Sequence, residues 1–302
     1  LGTSPLKQPH SGHKVWRELP LWRRPPVLAA ELMIMLGVVG FFGWSAFRSP
    51  PALAFQERDW VVVGDLNNFT GDTRLDDSLD TALRMSLEQS RYVNVVPDMK
   101  VRTVLQRMGR RTDAAVDRSV GSEIAMREGA RALLLPSVAE VGGKLRVSLE
   151  LVDPTNGVTV YADSEDGRGV DSALSSLDSL NERLRERLGE SESQIQSAGK
   201  PLAQITTPSL EALRYYSLAR DESVLHYNLS ESKRLIELAL KADPKFALAY
   251  TARARLQLAN GDYPAAKKDF QAANKLRDHL SAREALILDS GLAEFGTVQS
   301  RI

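Results

Sequence analysis

The chain has 302 residues, 43% of them hydrophobic and 26% charged, which suits two or more folded modules of ordinary composition. Lys plus Arg equals Asp plus Glu at 39 each, so no global positive field points to nucleic acid, and no nucleic-acid partner is expected. Cysteine is absent, which excludes disulfides, thiolate catalysis, iron–sulfur clusters and cysteine zinc sites, and tolerates an oxidising compartment.

Residues 1–26 are basic and polar, with Lys7, Lys14, Arg17, Arg23 and Arg24, and residues 27–47 carry one charge, Glu31. As a helix, 27–47 would reach roughly 30 Å, the thickness of a bilayer hydrocarbon core, so it is expected to be a transmembrane helix. Its position well inside the chain and the FFGWSAFRSPP that ends it favour an uncleaved anchor over a signal peptide. Glu31 falls in the first turns, where a carboxylate reaches the interface. Basic residues crowd the preceding side and only Arg48 follows closely, which predicts a cytoplasmic amino end and an extracytoplasmic remainder. Trp22 and Trp44 suit interface aromatics, with Trp16 either a third or part of an upstream domain, and His10 and His13 read as a solvated tail.

An α/β domain is expected over 56–189. Trp60 to Val63 reads as a strand buried on both faces, and Leu75, Leu79, Leu83 and Leu87 mark an amphipathic helix with Asp76 and Asp77 in its first turn. Tyr92 to Val96 reads as a second strand, which makes a βαβ unit and a sheet parallel at its centre. Helices are expected at Met99 to Met108 and Val120 to Gly129. Ala132 to Val141 and Lys144 to Asp153 form a hairpin about Gly142 and Gly143, and Val158 to Ala162 adds a strand after the PTNG turn. Leu145, Val147, Leu149 and Leu151 face one way, and Arg146, Ser148 and Glu150 the other.

The NNFTGD turn after the first strand has the parts of an anion cradle, but Gly64 and Gly71 are seven apart and no Lys follows Gly71, so it is not a P-loop. Asp65, Asn67, Asn68, Asp72, Asp76, Asp77 and Asp80 offer oxygens for a hard cation without the spacing of an EF-hand. Their expected role is structural: Asn67, Asn68 and Gly71 shape the turn, while Asp72, Asp76 and Asp77 cap the helix or favour its dipole. No His lies between His13 and His226, which excludes a Ser-His-Asp triad in this domain. No catalytic, cofactor-binding or metal-ligating residue is assigned, no cofactor is expected, and this region is not expected to be an enzyme.

Asp171 to Leu188 reads as a helix, and 190–208 as a polar linker ending in a Thr207 cap with Pro208 in the first turn. Over 209–302 the chain repeats with a period of 34, pairing Tyr216 with Tyr250, Leu229 with Tyr263, Ser232 with Ala266, Ile236 with Phe270 and Ala239 with Ala273. This is the tetratricopeptide period, with Arg220 standing where Gly or Ala is usual and Arg253 where Leu is usual. Ala239, Ala266, Ala273, Tyr250 and Phe270 are assigned to the core, and the stacked helix pairs are expected to leave a concave surface for a protein or peptide partner. A third unit from Ser281 has only its first helix, so the chain reads as cut from a longer gene product.

WVVVGDLNNFTGD, ARALLLP and VDPTNG, in this order, resemble the TolB-like domain of bacterial membrane regulators and signalling proteins. More closely, ALAFQERDWVVVGDL, LEQSRYVNVV and VGSEIAMREGARALLLP resemble the carboxy-terminal part of peptide modification system cyclases, from about Lys14 onward. The resemblance implies an α/β TolB-like domain with a mixed sheet, then an all-α tetratricopeptide repeat array, in the periplasm of a bacterial inner-membrane protein. It also implies a cytoplasmic nucleotide cyclase domain upstream of Leu1, and carries no cyclase residue into this chain. The function expected is a membrane-anchored sensing or scaffolding region that binds a protein or peptide, with the bilayer as second partner and a homodimer possible. The alternative is the outer half of a membrane-bound winged-helix transcription regulator.

Overall fold

Alternating apolar residues give the middle of the chain a mixed sheet with helices on both faces, in a computed structural model that describes residues 55–90 and 92–299. The segment 1–26, the span 27–47 and the residues singled out within them lie outside the described residues. Among the described residues no helix is long and apolar enough to cross a membrane.

β1 (Asp59–Val63) pairs in parallel with β3 (Val93–Val95) on one side and with β4 (Ala132–Val141) on the other. α1 (Arg74–Leu87) joins β1 to β3, and α2 (Asp98–Arg107) and α3 (Arg118–Glu128) lead to β4. β5 (Lys144–Val152) and β6 (Thr159–Gly167) continue the sheet antiparallel, giving the order β3-β1-β4-β5-β6. The sheet is therefore parallel at β3, β1 and β4, where helical crossovers connect it, and antiparallel where the Gly142–Gly143 turn allows a tight hairpin. Both glycines have positive φ, 59° and 73°, as a two-residue hairpin turn requires. A further two-residue strand, β2 (Asn67–Asn68), pairs with Ser137 and Val138 of β4. Asn67 and Asn68, expected only to shape a turn, thus extend the sheet.

The two faces bury different sets. Val61, Val63, Leu134 and the alternating Leu145, Val147, Leu149 and Leu151 join the stripe of Leu75, Leu79, Leu83 and Leu87 on α1 and the apolar face of α4 (Ala173–Leu188). Val62 and Leu133 point the other way, against Val101, Val104 and Leu105 of α2 and Val120, Ile124 and Ala125 of α3. Period-two alternation in the strands decides which core each residue enters.

Residues 190–208 hold two short helices, α5 (Glu192–Ala198) and α6 (Leu202–Ile205), with Leu202, Ile205, Thr206 and Thr207 buried. The N-cap of the next helix is Ser209, whose hydroxyl accepts from Ala212 N at 3.2 Å. Thr207, expected to be that cap, instead donates to Asp243 at 2.6 Å and accepts from Ser209 N. Asp178 of α4 receives Leu202 N at 3.0 Å, and burial pushes its carboxyl up to about 6.

The helical region follows as α7 (Leu210–Val224), α8 (Leu229–Ala242), α9 (Ala247–Ala259), α10 (Tyr263–Lys275) and α11 (Ala282–Gln299). Asn228 and Asp262 cap α8 and α10 by accepting from Glu231 N and Ala265 N. Ala239, Ala266, Ala273 and Phe270 are fully buried, while Tyr250 is half-buried. Gly291 of α11 lies where a Cβ would sit 2.5 Å from the Phe270 ring, so glycine permits that approach. One hydrophobic cluster runs from Val61 through α1 to Leu288, and the described residues all fall in one compact unit.

Candidate interaction surface

The repeat helices dock on the α/β domain through α1. Its leucine stripe faces the sheet, and away from that stripe it carries Ser78 and Thr81, both buried. Ser78 donates to Leu210 O at 3.1 Å, and the Thr81 and Ser217 hydroxyls meet at 2.5 Å. Small side chains let α1 and α7 approach closely, and the hydroxyls satisfy one another out of water. Beside this dry seam runs a charged one. Asp98 at the start of α2 binds Arg84 of α1 at 2.8 Å and Arg220 of α7 at 3.3 Å, and Arg283 of α11 binds Glu88 at 2.8 Å. Arg220, the departure from the repeat pattern, is thus the residue that reaches the α/β domain. The second departure, Arg253, pairs with the buried Asp269 of α10 at 2.7 Å and lies over Tyr250 at 5.5 Å.

Behind the seam, Arg185 and Glu190 form an ion pair at 2.6 Å, with side chains 2% and 1% exposed. Ser90, just before β3, also donates to Glu190. The pair ties the end of α4 to the loop entering β3 and has both charges hydrogen-bonded, the condition under which such burial is tolerated.

Along α7, α9 and α11 the helical region opens into three adjoining cavities of about 420, 190 and 420 Å³. Tyr216 and Ala252 line the first two, Ile287 lines the last two, and Arg255 borders all three. Arg255 is exposed and forms no ion pair among the described residues, whereas Arg220, Arg253 and Arg283 are each paired. Glu284 caps α11 by accepting from Ser281 N at 3.0 Å while Ser281 Oγ accepts from Glu284 N. Burial pushes its carboxyl up to about 7, against that hydrogen bond and with help from Glu88.

The acidic residues of the first loop are partly consumed by donors around them. Asn68 Nδ2 donates to Asp72 O and to Asp76, and its Oδ1 accepts from Thr70. Asp65 accepts from Val116 N at 2.9 Å. Asp72 accepts from Arg74 N and pairs with the Arg74 side chain, whose hydrogen bond holds its carboxyl down at about 2. Thr73 stands at the N-cap of α1 without a side-chain bond, so Asp72 serves the turn before the helix more than its cap. Asp77 is pushed upward by burial, the opposite of a carboxylate stabilised at a helix terminus. Asp65, Asp76, Asp77 and Asp80 border a cleft of about 350 Å³ with Asp98 and Asp221. Among the described residues no three His, Asp or Glu side chains are arranged to hold a metal ion.

No protein-family model matches the chain, and no curated protein matches it. Solved structures do. The LpoB C-terminal domain from Salmonella enterica is 18% identical, with 37% of this chain and 84% of that chain covered and a TM-score of 0.35. A PelC dodecamer from Paraburkholderia phytofirmans is 20% identical over 45% of this chain and 92% of that one, with a TM-score of 0.30. TolB from Acinetobacter baumannii is 8% identical over 45% of this chain and 28% of that one, with a TM-score of 0.29.

Proposed function

We propose that this chain is a membrane-anchored protein-binding region in which the row of cavities along α7, α9 and α11 captures a segment of another protein. The observation that carries this reading is Arg255: a guanidinium with no ion pair among the described residues that borders all three cavities, in a wall where Arg220, Arg253 and Arg283 are already paired. A segment with a carboxylate opposite Arg255 and apolar side chains against Tyr216, Ala252 and Ile287 complements it. The work is binding and not catalysis. The basic flank before 27–47 supports an extracytoplasmic position for the α/β domain and repeats, and the resemblance to peptide modification system cyclases supports coupling to a cyclase domain encoded upstream.

Arg255→Glu in the full chain is expected to abolish capture of a partner that the wild type retains, with no change in thermal unfolding. A defined partner crosslinked in cells from a photoreactive residue at Ser290 supplies the assay. Retention of the same partner by Arg255→Glu would reject the groove. Reporter fusions placed after Asp59 are expected to be active only when exported, and cytoplasmic activity there would reject the orientation.

A further inference from the structure

Among the described residues β3 is the end strand of the sheet and pairs with β1 alone. Val96 N donates to Val61 O at 2.9 Å, which fixes the side of the strand that faces β1. Because main-chain groups alternate along a strand, Asn94 and Val96 point at β1, and the N–H and C=O of Val93 and Val95 point away from it. Pro97 follows and brings no N–H, so the open edge is about three residues long.

That edge is not bare to bulk water. It forms one wall of a cleft of about 480 Å³, with Trp60 and Met99 on one side and Asp221, Val224 and Leu225 at the end of α7 on the other. Trp60, Met99 and Val224 are 44%, 44% and 39% exposed, so three large apolar side chains left in water converge on one unpaired strand edge. The charges in the cleft mostly satisfy one another, as Asp98 does with Arg84 and Arg220 and Glu88 with Arg283. Asp221 is the exception: its carboxylate forms no ion pair among the described residues, and burial raises its pKa.

We propose that this cleft is a second docking site, separate from the groove along α7, α9 and α11, which adds an extended segment of a partner protein to β3 as a further strand. A polypeptide backbone matches alternating donors and acceptors at strand spacing, and the walls set its side chains. Trp60 lies on the same face of the sheet as Asn94, since the two are register partners, so apolar residues of the segment face Trp60 and Met99. The intervening residue faces α7, where Asp221 calls for Lys or Arg. Helices on both sides of the edge leave room for a single strand in preference to the edge of another sheet.

The test uses the full chain in detergent and a fluorescent, end-capped pentapeptide, Thr-Val-Lys-Val-Thr, followed by anisotropy. Saturable binding is expected. It should weaken tenfold or more when the peptide amides are N-methylated, and several-fold when its Lys is replaced by Glu, a preference that Asp221→Asn should erase. Val95→Pro removes an outward N–H without touching the bonds to β1, and should weaken binding tenfold or more at an unchanged thermal midpoint, while Arg255→Glu leaves binding as it was. If Val95→Pro lowers the midpoint, the N-methylated peptide on the wild type decides. Absence of saturable binding, or binding indifferent to N-methylation, would overturn the proposal. So would a dimer dispersed by Val95→Pro, which assigns the edge to a second copy, or edge amides protected from exchange without peptide, which assigns it to the chain's own preceding residues.

Discussion

The α/β domain and the helical region solve the same packing problem with different side chains. The sheet is covered by Val and Leu, whose branched side chains span the gap between strands and helices. The helical region places Ala212, Ala219, Ala239, Ala247, Ala249, Ala254, Ala266 and Ala273 at its contacts, all without exposed surface, and fills the remainder with Phe246, Phe270 and leucines. Helices that approach on alanine leave no slack for a larger side chain, whereas a leucine layer suffers most when a side chain is removed. The two halves are thus vulnerable to opposite substitutions.

The buried charge pair sets the upper end of that scale. Glu190→Ala leaves Arg185 buried without its partner, and about 3 to 5 kcal/mol of stability should be lost in urea unfolding. A loss under 1 kcal/mol would mean that water reaches the guanidinium. Leu83→Ala in α1 should cost about 2 to 5 kcal/mol, the range for removing a buried leucine side chain. Ala266→Trp should cost about 1 to 3 kcal/mol or more by overpacking, while the reverse kind of change in the helical region, Phe270→Leu, is milder. A loss below about 0.5 kcal/mol for Ala266→Trp would erase the contrast between the halves.

A smaller effect depends on pH. The Glu284 carboxyl is raised above its ordinary value of 4.5 to about 7, so its contribution to stability is fully present below about pH 4.5 and is lost as pH rises through about 7. Glu284→Gln keeps an acceptor for Ser281 N and removes the titration. The thermal midpoint of the wild type should fall between pH 5 and pH 8 by more than that of Glu284→Gln, and identical slopes would place the titrating group elsewhere.

The strands and helices of the sheet domain were legible because their apolar periods are strong: the stripe of Leu75, Leu79, Leu83 and Leu87 and the alternation through Leu145 to Leu151 both mark buried faces. The 34-residue spacing likewise places α8 and α10 in equivalent positions, starting at Leu229 and Tyr263. The seam was not legible, since Ser78 and Thr81 look like a solvated helix face until Leu210 O and Ser217 are set against them. Arg220 carried the one available signal, a long cation where the repeat pattern wants a small residue, and its meaning depends on Asp98, far away in the chain. Residues 190–208 looked like a linker because polar Ser, Gln, Glu and Thr dominate them, but Ile195, Leu202 and Ile205 are enough to bury the segment. Arg185 and Glu190 gave no sign of burial, because charge in sequence ordinarily means exposure.

The burial of 190–208 bears on mechanics. Glu190 is bound by Arg185 of α4 at 2.6 Å, Leu202 by Asp178 of α4 and Thr207 by Asp243 at 2.6 Å, so the segment is riveted at both ends and near its middle. With α1 wedged against α7, sheet and helices move as one lever. Force applied at the groove would be delivered to β1 as a displacement of the whole lever, with no bending between its halves to absorb it.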